Sequence, residues 1–189
     1  APVESPAAVP FRPPDDRRVL VMGGGRGIGI RYRTVRRLDL SSTPFTIDVV
    51  CGTNRKLRQR LVRHRHQFRH PIRVRGYVYN TVSLMSRADL MITKAGGMTL
   101  AEALSVGRPL LLVRPLPGQE TGNTKAMVHA GAALYVKDER HVARSVTDLL
   151  SNENILGAMR EKALAVGRPD AAERIVDDVL GELNQRAST

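Results

Sequence analysis

Apolar residues fall into two kinds of pattern along the chain. Short, nearly continuous apolar runs recur at Arg17–Met22 (RRVLVM), Thr46–Cys51 (TIDVVC), Ile72–Val74, Leu90–Thr93 (LMIT), Leu110–Val113 (LLLV) and Ala133–Val136 (ALYV). Runs of this length, apolar on successive residues and bounded by turn residues, predict strands buried on both faces, as in a parallel sheet. Between them the spacing is helical. Leu57, Leu61 and Phe68 mark one stripe, Leu100, Ala103 and Leu104 a second, and Met127, Val128 and Ala130 a third. After Val136 only helical spacing remains, at Val142, Val146 and Leu149, at Ile155 and Met159, and at Ile175, Val179 and Leu183. Strands alternating with helices predict right-handed crossovers, so the expected class is α/β, a doubly wound parallel sheet of about six strands. No internal repeat is visible. Ligands of such sheets bind beyond the carboxyl ends of the strands. The loops that matter are therefore Gly23–Gly29, Gly52–Asn54, Gly76–Asn80, Lys94–Thr99 and Arg114–Asn123.

Composition narrows the class without changing it. The chain has 189 residues, 42% apolar and 25% charged, which fits one globular domain and excludes wholesale disorder, collagen and a coiled coil. No apolar run approaches the roughly 20 residues of a membrane-spanning helix. Residues 1–16 carry Pro2, Pro6, Pro10, Pro13 and Pro14 and read as an extended linker ahead of a domain at 17–189. The N-terminus lacks a basic-then-apolar signal, so a cytoplasmic location is the expectation. The single Cys51 excludes an internal disulfide and a Cys-rich metal site. It lies at a strand end, where a buried structural thiol is the expectation rather than a nucleophile.

The net charge of +12 is unevenly placed. Residues 1–94 hold 19 basic and 6 acidic side chains, and residues 95–189 hold 11 and 12. From Arg55 to Arg75 there are nine Arg or Lys and no acid. The stretch Asn54–Arg75 is expected to form a basic amphipathic helix that carries His64, His66 and His70. A solvated face is the plain reading. The sharper one is attraction to an anionic membrane surface through Arg55–Arg75, at about 1 kcal/mol per basic residue. Nucleic acid is not an expected partner: aromatic residues are 4%, Trp is absent, and no recognition motif accompanies the charge.

Three loops offer chemistry. Gly23-Gly24-Gly25-Arg26-Gly27-Ile28-Gly29 follows the first strand, and its glycines let backbone N–H groups approach a phosphate. It is not the dinucleotide fingerprint G-x-G-x-x-G, because the sixth position is Ile28 or Ile30, and Cys51-Gly52-Thr53 stands where an acid is expected. Nor does Gly-Lys-Ser/Thr follow it. Lys94-Ala95-Gly96-Gly97-Met98-Thr99 turns from a strand into a helix starting near Thr99, whose free N–H groups suit a diphosphate. Glu102, three residues on, is placed to face a ligand, although T-x-x-E is equally a capping box. In Arg114–Asn123, Gln119 and Glu120 have the groups to bracket sugar hydroxyls, while Asn123 is equally a helix N-cap. His129 and His141 are expected on later helices, and Asp15-Asp16 and Asp177-Asp178 as surface charge.

Three segments, VLVMGGGRGIG, then VVCGTN with RGYV, and ITKAGGMTLAEA with GRPLLL and PLPGQETGN, resemble the C-terminal half of the family 28 glycosyltransferases. Within that family, the likeness is greatest to the diacylglycerol sugar transferases. The resemblance covers Arg17 to about Val136. It implies one Rossmann-like half of a GT-B enzyme that binds a UDP-sugar and inverts the anomeric centre without metal or cofactor. No Asp-x-Asp occurs, in agreement. By resemblance, Gly24, Gly25, Arg26 and Gly27 approach the diphosphate, Tyr77 and Val78 contact uracil, and Gly96, Gly97 and Thr99 hold phosphate. Lys94 is expected either to pair with phosphate or to solvate a surface. Glu102 binds the ribose, and Gly118, Gln119, Glu120 and Asn123 surround the hexose. The resemblance further implies an acceptor domain outside this chain, which carries the catalytic base, so this domain alone is expected to be inactive. Expected partners are the UDP-sugar, an acceptor domain or subunit, and the inner face of a membrane. The acceptor is expected to be a membrane lipid such as diacylglycerol. The alternatives are a donor-binding subunit of a two-chain transferase, or another acceptor such as a peptidoglycan lipid precursor or a polyketide.

Overall fold

The computed structural model describes residues 12–13 and 16–187. The linker expected at 1–16 lies outside the described residues except for Arg12, Pro13 and Asp16, as does Asp15 of the acidic pair. Six parallel strands form one sheet: β1 (Arg18–Met22), β2 (Thr46–Val50), β3 (Ile72–Arg75), β4 (Leu90–Thr93), β5 (Leu110–Val113) and β6 (Ala133–Val136). Their spatial order is β3-β2-β1-β4-β5-β6. Each apolar run anticipated above is a strand, within a residue at either end.

Among the described residues there are eight α-helices: α1 (Tyr32–Leu38), α2 (Arg55–Arg63), α3 (Thr81–Ser86), α4 (Gly97–Ser105), α5 (Gln119–His129), α6 (Val142–Leu150), α7 (Glu153–Val166) and α8 (Ala171–Ala187). The first seven pack against the sheet, and α8 is exposed. Successive strand residues point to opposite faces, and two cores result. Val19, Val21, Ile47 and Val49 pack with Val35 and Leu38 of α1, Leu61 of α2 and Val146 of α6. Leu20, Met22, Val50 and Leu112 pack with Met85 of α3 and with Leu100 and Ala103 of α4. The central strands β1, β2, β4 and β5 are buried almost throughout, whereas edge strand β3 alternates.

The basic stretch Asn54–Arg75 is not one helix. Asn54 caps α2 by accepting the Leu57 N–H at 3.0 Å, but α2 ends at Arg63. A 3-10 turn at Arg65–Gln67 follows, Phe68 is extended, and β3 begins at Ile72. Two forces end the helix. Pro71 disfavours helical backbone at His70, and the fully buried Asp39 carboxylate binds the Arg69 and His70 N–H groups at 2.9 and 3.0 Å. Phe68 therefore leaves the α2 stripe and packs edge-on against Tyr32 at 6.4 Å, with the Arg36 guanidinium 4.9 Å above its ring. His64 closes α2, His66 lies in the 3-10 turn, and His70 stacks on Phe45 at 4.2 Å. None of the three is on a continuous helix. The apolar stripe of α8 is also not core: Ile175, Val179 and Leu183 are exposed.

Because α2 is anchored through Leu57 and Leu61 alone, truncation there should be felt strongly. Leu61→Ala should lower unfolding free energy by about 2–5 kcal/mol in urea denaturation, and Leu61→Met by less than about 1.5 kcal/mol. Equal losses in the two variants would mean that α2 is not held by that side chain.

Candidate functional site

From β1 the chain moves outward to β2, and from β4 it moves outward the other way to β5. The loops after β1 and β4 therefore diverge and open a crevice at the carboxyl ends of these neighbours. The Gly-rich loop is the floor of that crevice. Gly27 N–H donates to Gly24 O at 2.9 Å and Thr53 N–H to Gly25 O at 2.9 Å. Gly27 has φ 61° and Gly52 has φ 57°. A Cβ on Gly27 would lie 2.1 Å from Cys51 O, and one on Gly52 would lie 2.1 Å from Gly25 O. The two turns interlock through backbone that tolerates no side chain.

Across the loop stands α4. Its N-cap is Gly96 and it begins at Gly97, two residues earlier than its apolar pattern implies. Thr99 and Glu102 are therefore both inside the helix and do not form a capping box. Thr99 Oγ1 lies 3.7 Å from the Cβ position of Gly24. The Glu102 carboxylate instead accepts a hydrogen bond from Thr81 Oγ1 at 3.0 Å. That hydroxyl is its one hydrogen-bond partner among the described residues, so the carboxylate retains acceptor capacity.

These parts enclose a cavity of about 170 Å3. Gly24, Gly25, Tyr77, Val78, Thr99 and Glu102, all anticipated from the sequence, line it together with Met22, Val50, Gly52, Tyr79, Thr81 and Met98. Tyr77 and Tyr79 meet edge to face at 5.1 Å, and Tyr79 is 96% exposed. The second six were missed for different reasons. Met22 and Val50 read as strand core, and Met98 lay in the loop Lys94–Thr99 without a role. Gly52 and Tyr79 lay in loops singled out by position without a role. Thr81 carried no signal, since only the fold brings it to Glu102.

The other anticipated residues lie beside the cavity. Arg26 is exposed at the tip of the Gly-rich loop. Lys94, at the end of β4, forms an ion pair with Glu120. Glu120 is buried and also accepts the Leu116 N–H at 2.8 Å. Gln119 is exposed next to it. Residues 119–123 are helical, not loop: Gly118, at φ 95°, is the N-cap of α5. Asn123 is thus no N-cap, and its side-chain N–H donates to Ala95 O at 3.0 Å, tying α5 to the turn before α4. Gly96 and Gly97 stand between the two clusters. Of the later histidines, His129 ends α5, and His141 ends a 3-10 turn, Glu139–His141, before α6. Asp177 and Asp178 lie exposed on α8.

Cys51 is fully buried at the end of β2, and burial pushes its thiol up to about 11. A neutral buried thiol is a poor nucleophile, so its place here is structural.

A sequence profile described as glycosyltransferase family 28 C-terminal domain matches residues 18–175. Monogalactosyldiacylglycerol synthase 3 of Arabidopsis thaliana is 37% identical over 89% of this chain and 38% of its own length. A processive diacylglycerol beta-glucosyltransferase of Bacillus mycoides is 33% identical over 89% of this chain and 43% of its own. The chain thus spans about two fifths of the length of these curated relatives. Among solved structures, MurG of Acinetobacter baumannii superposes with a TM-score of 0.75 at 24% identity, over 90% of this chain and 51% of that one. Staphylococcus aureus MnaA in complex with UDP superposes with a TM-score of 0.64 at 21% identity, over 90% and 47%. At these identities both show the fold: the six-stranded sheet, in the order found here, is that of a GT-B half.

Two outcomes test this geometry. Gly52→Ala should cost at least about 1–3 kcal/mol from the left-handed backbone alone, with more from the overlap with Gly25 O; a thermal midpoint equal to that of the native chain would contradict the interlock. Raising Cys51 above its ordinary value gives the folded state a proton that the unfolded chain releases first. The native chain should therefore lose stability relative to Cys51→Ala as pH rises from about 9 to about 11, with no such difference below pH 8. Parallel stability–pH curves for the two proteins would show that the thiol is not shielded.

Proposed function

The chain belongs to glycosyltransferase family 28 as its C-terminal domain, and on that premise we propose that it binds a UDP-sugar and serves an inverting, metal-independent transfer of a hexose to a membrane lipid such as diacylglycerol. The observation that carries this reading is the cavity between the Gly-rich loop and α4, with one incompletely hydrogen-bonded carboxylate, Glu102, in its wall. A nucleoside fits its parts in order. Uracil lies against Tyr77 and Val78, whose backbone offers donor and acceptor groups. The ribose hydroxyls donate to Glu102. The diphosphate lies over Gly24–Gly27 and the start of α4 at Gly96, Gly97 and Thr99, where free N–H groups and the positive end of the helix dipole stabilise it.

The hexose then extends toward Gly118, Gln119, Glu120 and Asn123. Gln119 is exposed and free to meet a hydroxyl. Glu120 is held by Lys94 and the Leu116 N–H, so a hydroxyl reaches it by sharing or displacing Lys94. A displaced Lys94 is within reach of the diphosphate side, since its Nζ lies 3.3 Å from the Cβ position of Gly96. Charge on the departing UDP grows in the transition state, and fixed amides and a cation placed beforehand stabilise it without reorganising. In this reading Glu102 is taken up by the ribose and Glu120 is held by Lys94 and the Leu116 N–H, so we place the base and the acceptor site in a second half outside this chain. By itself the domain should be inactive. Relatives that act on diacylglycerol by name support a lipid acceptor, and the basic surface of α2 and the turn after it supports a position against an anionic membrane.

Calorimetric titration with UDP, with ADP and NAD as controls, tests the reading. UDP should bind, ADP and NAD should not, and Glu102→Ala should weaken UDP by about ten- to a hundred-fold through loss of hydrogen bonds to a charged acceptor. Silence toward UDP in a folded chain, or a Glu102→Ala variant that binds as well as the native one, would sink it.

A further inference from the structure

A second cavity lies at the far end of the sheet, beyond β6. It is open, holds about 940 Å3, and shares no lining residue with the crevice between β1 and β4. Its apolar wall is Leu134 and Tyr135 of edge strand β6, both partly exposed. Six cations line it: Arg31, Arg33, Arg37, Arg114, Lys137 and Arg140. The acids that line it are Asp138 and Glu139, and both are already engaged. Asp138 accepts from Arg140 Nε at 2.6 Å. Glu139 accepts from Arg31 at 2.6 Å and from Thr34 Oγ1 at 2.6 Å.

That leaves an uncompensated set. Arg33 and Arg37 sit four apart on α1, a like-charge spacing that disfavours the helix, and α1 contains no acid. Neither they nor Lys137 make an ion pair or side-chain hydrogen bond among the described residues. Arg114 is the non-glycine residue with a left-handed backbone among the described residues, at φ 48°, and its Nε stands 4.0 Å from Glu139 Oε1. Backbone held in that region concentrates at ligand sites. Arg33, Arg37 and Lys137, which have no counter-ion among the described residues, thus converge around one cavity with Arg114, whose acidic neighbour Glu139 is already held by Arg31. Such a field attracts multiply charged anions, and Arg matches phosphate oxygens two at a time.

We propose that this cavity is a second ligand site that takes a phosphate-bearing compound, the phosphate held by Arg33, Arg37, Arg114 and Lys137, and any apolar part resting on Leu134 and Tyr135. The chemistry is that of a phosphate ester, whether a soluble one or a lipid headgroup at a membrane.

The test uses the 189-residue chain and two variants of equal charge change. Arg33→Glu with Lys137→Glu alters the cavity, and Lys162→Glu with Arg174→Glu alters exposed cations of α7 and α8 that lie outside both the cavity and the basic surface of α2. Each is titrated with glycerol 3-phosphate, and with vesicles of phosphatidylcholine alone or mixed with phosphatidylglycerol. The native chain should bind one of these phosphate probes saturably. The cavity variant should bind it at least about ten-fold more weakly, and the α7–α8 variant should match the native chain. Binding of the soluble ester identifies a soluble source, and binding of the mixed vesicles alone identifies a headgroup; either supports the site. UDP affinity and far-UV circular dichroism should be the same in all three proteins. Should the reversal variant lose its circular dichroism, Arg33→Gln with Lys137→Gln is read in its place. The proposal is overturned by no saturable binding of either probe, by a cavity variant that binds like the native chain, or by equal losses in both variants, which would report net charge and not a site.

Discussion

Gly27 and Gly52 press two turns together at a distance that leaves no room for a single carbon atom. Everything at the first crevice depends on that approach. It sets the Gly-rich loop against the turn after β2, engages the carbonyls of Gly24 and Gly25, and leaves both glycines lining a cavity shared with Thr99 and Glu102 of α4. The loop offers backbone, which does not reorganise, and the side chains that join it come from both sides of the switch point. Thr99 and Glu102 come from α4, and Tyr77 and Val78 from the segment after β3. The crevice is therefore a property of strand order. Had β4 not paired with β1, the same residues would have formed ordinary strand-to-helix turns.

Charge is handled differently at the two ends of the sheet. At the crevice, ionised groups are few, partly buried and paired: Lys94 with Glu120, Glu102 with a hydroxyl. Low exposure strengthens these contacts and fixes geometry. Beyond β6 the cations are numerous and more exposed, and they outnumber the two acids among them, Asp138 and Glu139. The buried Asp39 shows a third use of charge. It binds the Arg69 and His70 N–H groups and the His70 ring of the basic segment, and the Arg36 guanidinium of α1, and so holds Arg69 and His70 outside the helix that the pattern would otherwise claim.

Much of the architecture was legible because a parallel sheet buried on both faces leaves runs of Val, Ile and Leu that few other structures permit. All six strands were visible in that way. Helix ends were less so. The α2 stripe seemed to extend to Phe68 because periodicity records which residues are apolar, not where the backbone stops. Pro71 was the available signal, and the pull of Asp39, thirty residues away, was not. At α4 and α5 the glycines obscured the boundaries: Gly96 and Gly118 are N-caps, so helix begins before the apolar pattern does. The capping-box reading of Thr99 and Glu102 failed for that reason, and so did the N-cap reading of Asn123.

The sequence by itself determined the class of fold, the loops that bear on ligands and, through three ordered segments, the family. These are local properties, since strand runs, glycine clusters and motif order are written in consecutive residues. Only the tertiary structure decided which of those residues share a wall. Thr81 meets Glu102 across twenty-one positions, Lys94 meets Glu120 across twenty-six, and Arg33 shares a cavity with Lys137 across more than a hundred. Contacts at such separations follow from the order in which strands pair and from the direction each crossover takes. No local pattern of residues encodes them, because the free energy that selects them is the burial of both faces of the whole sheet.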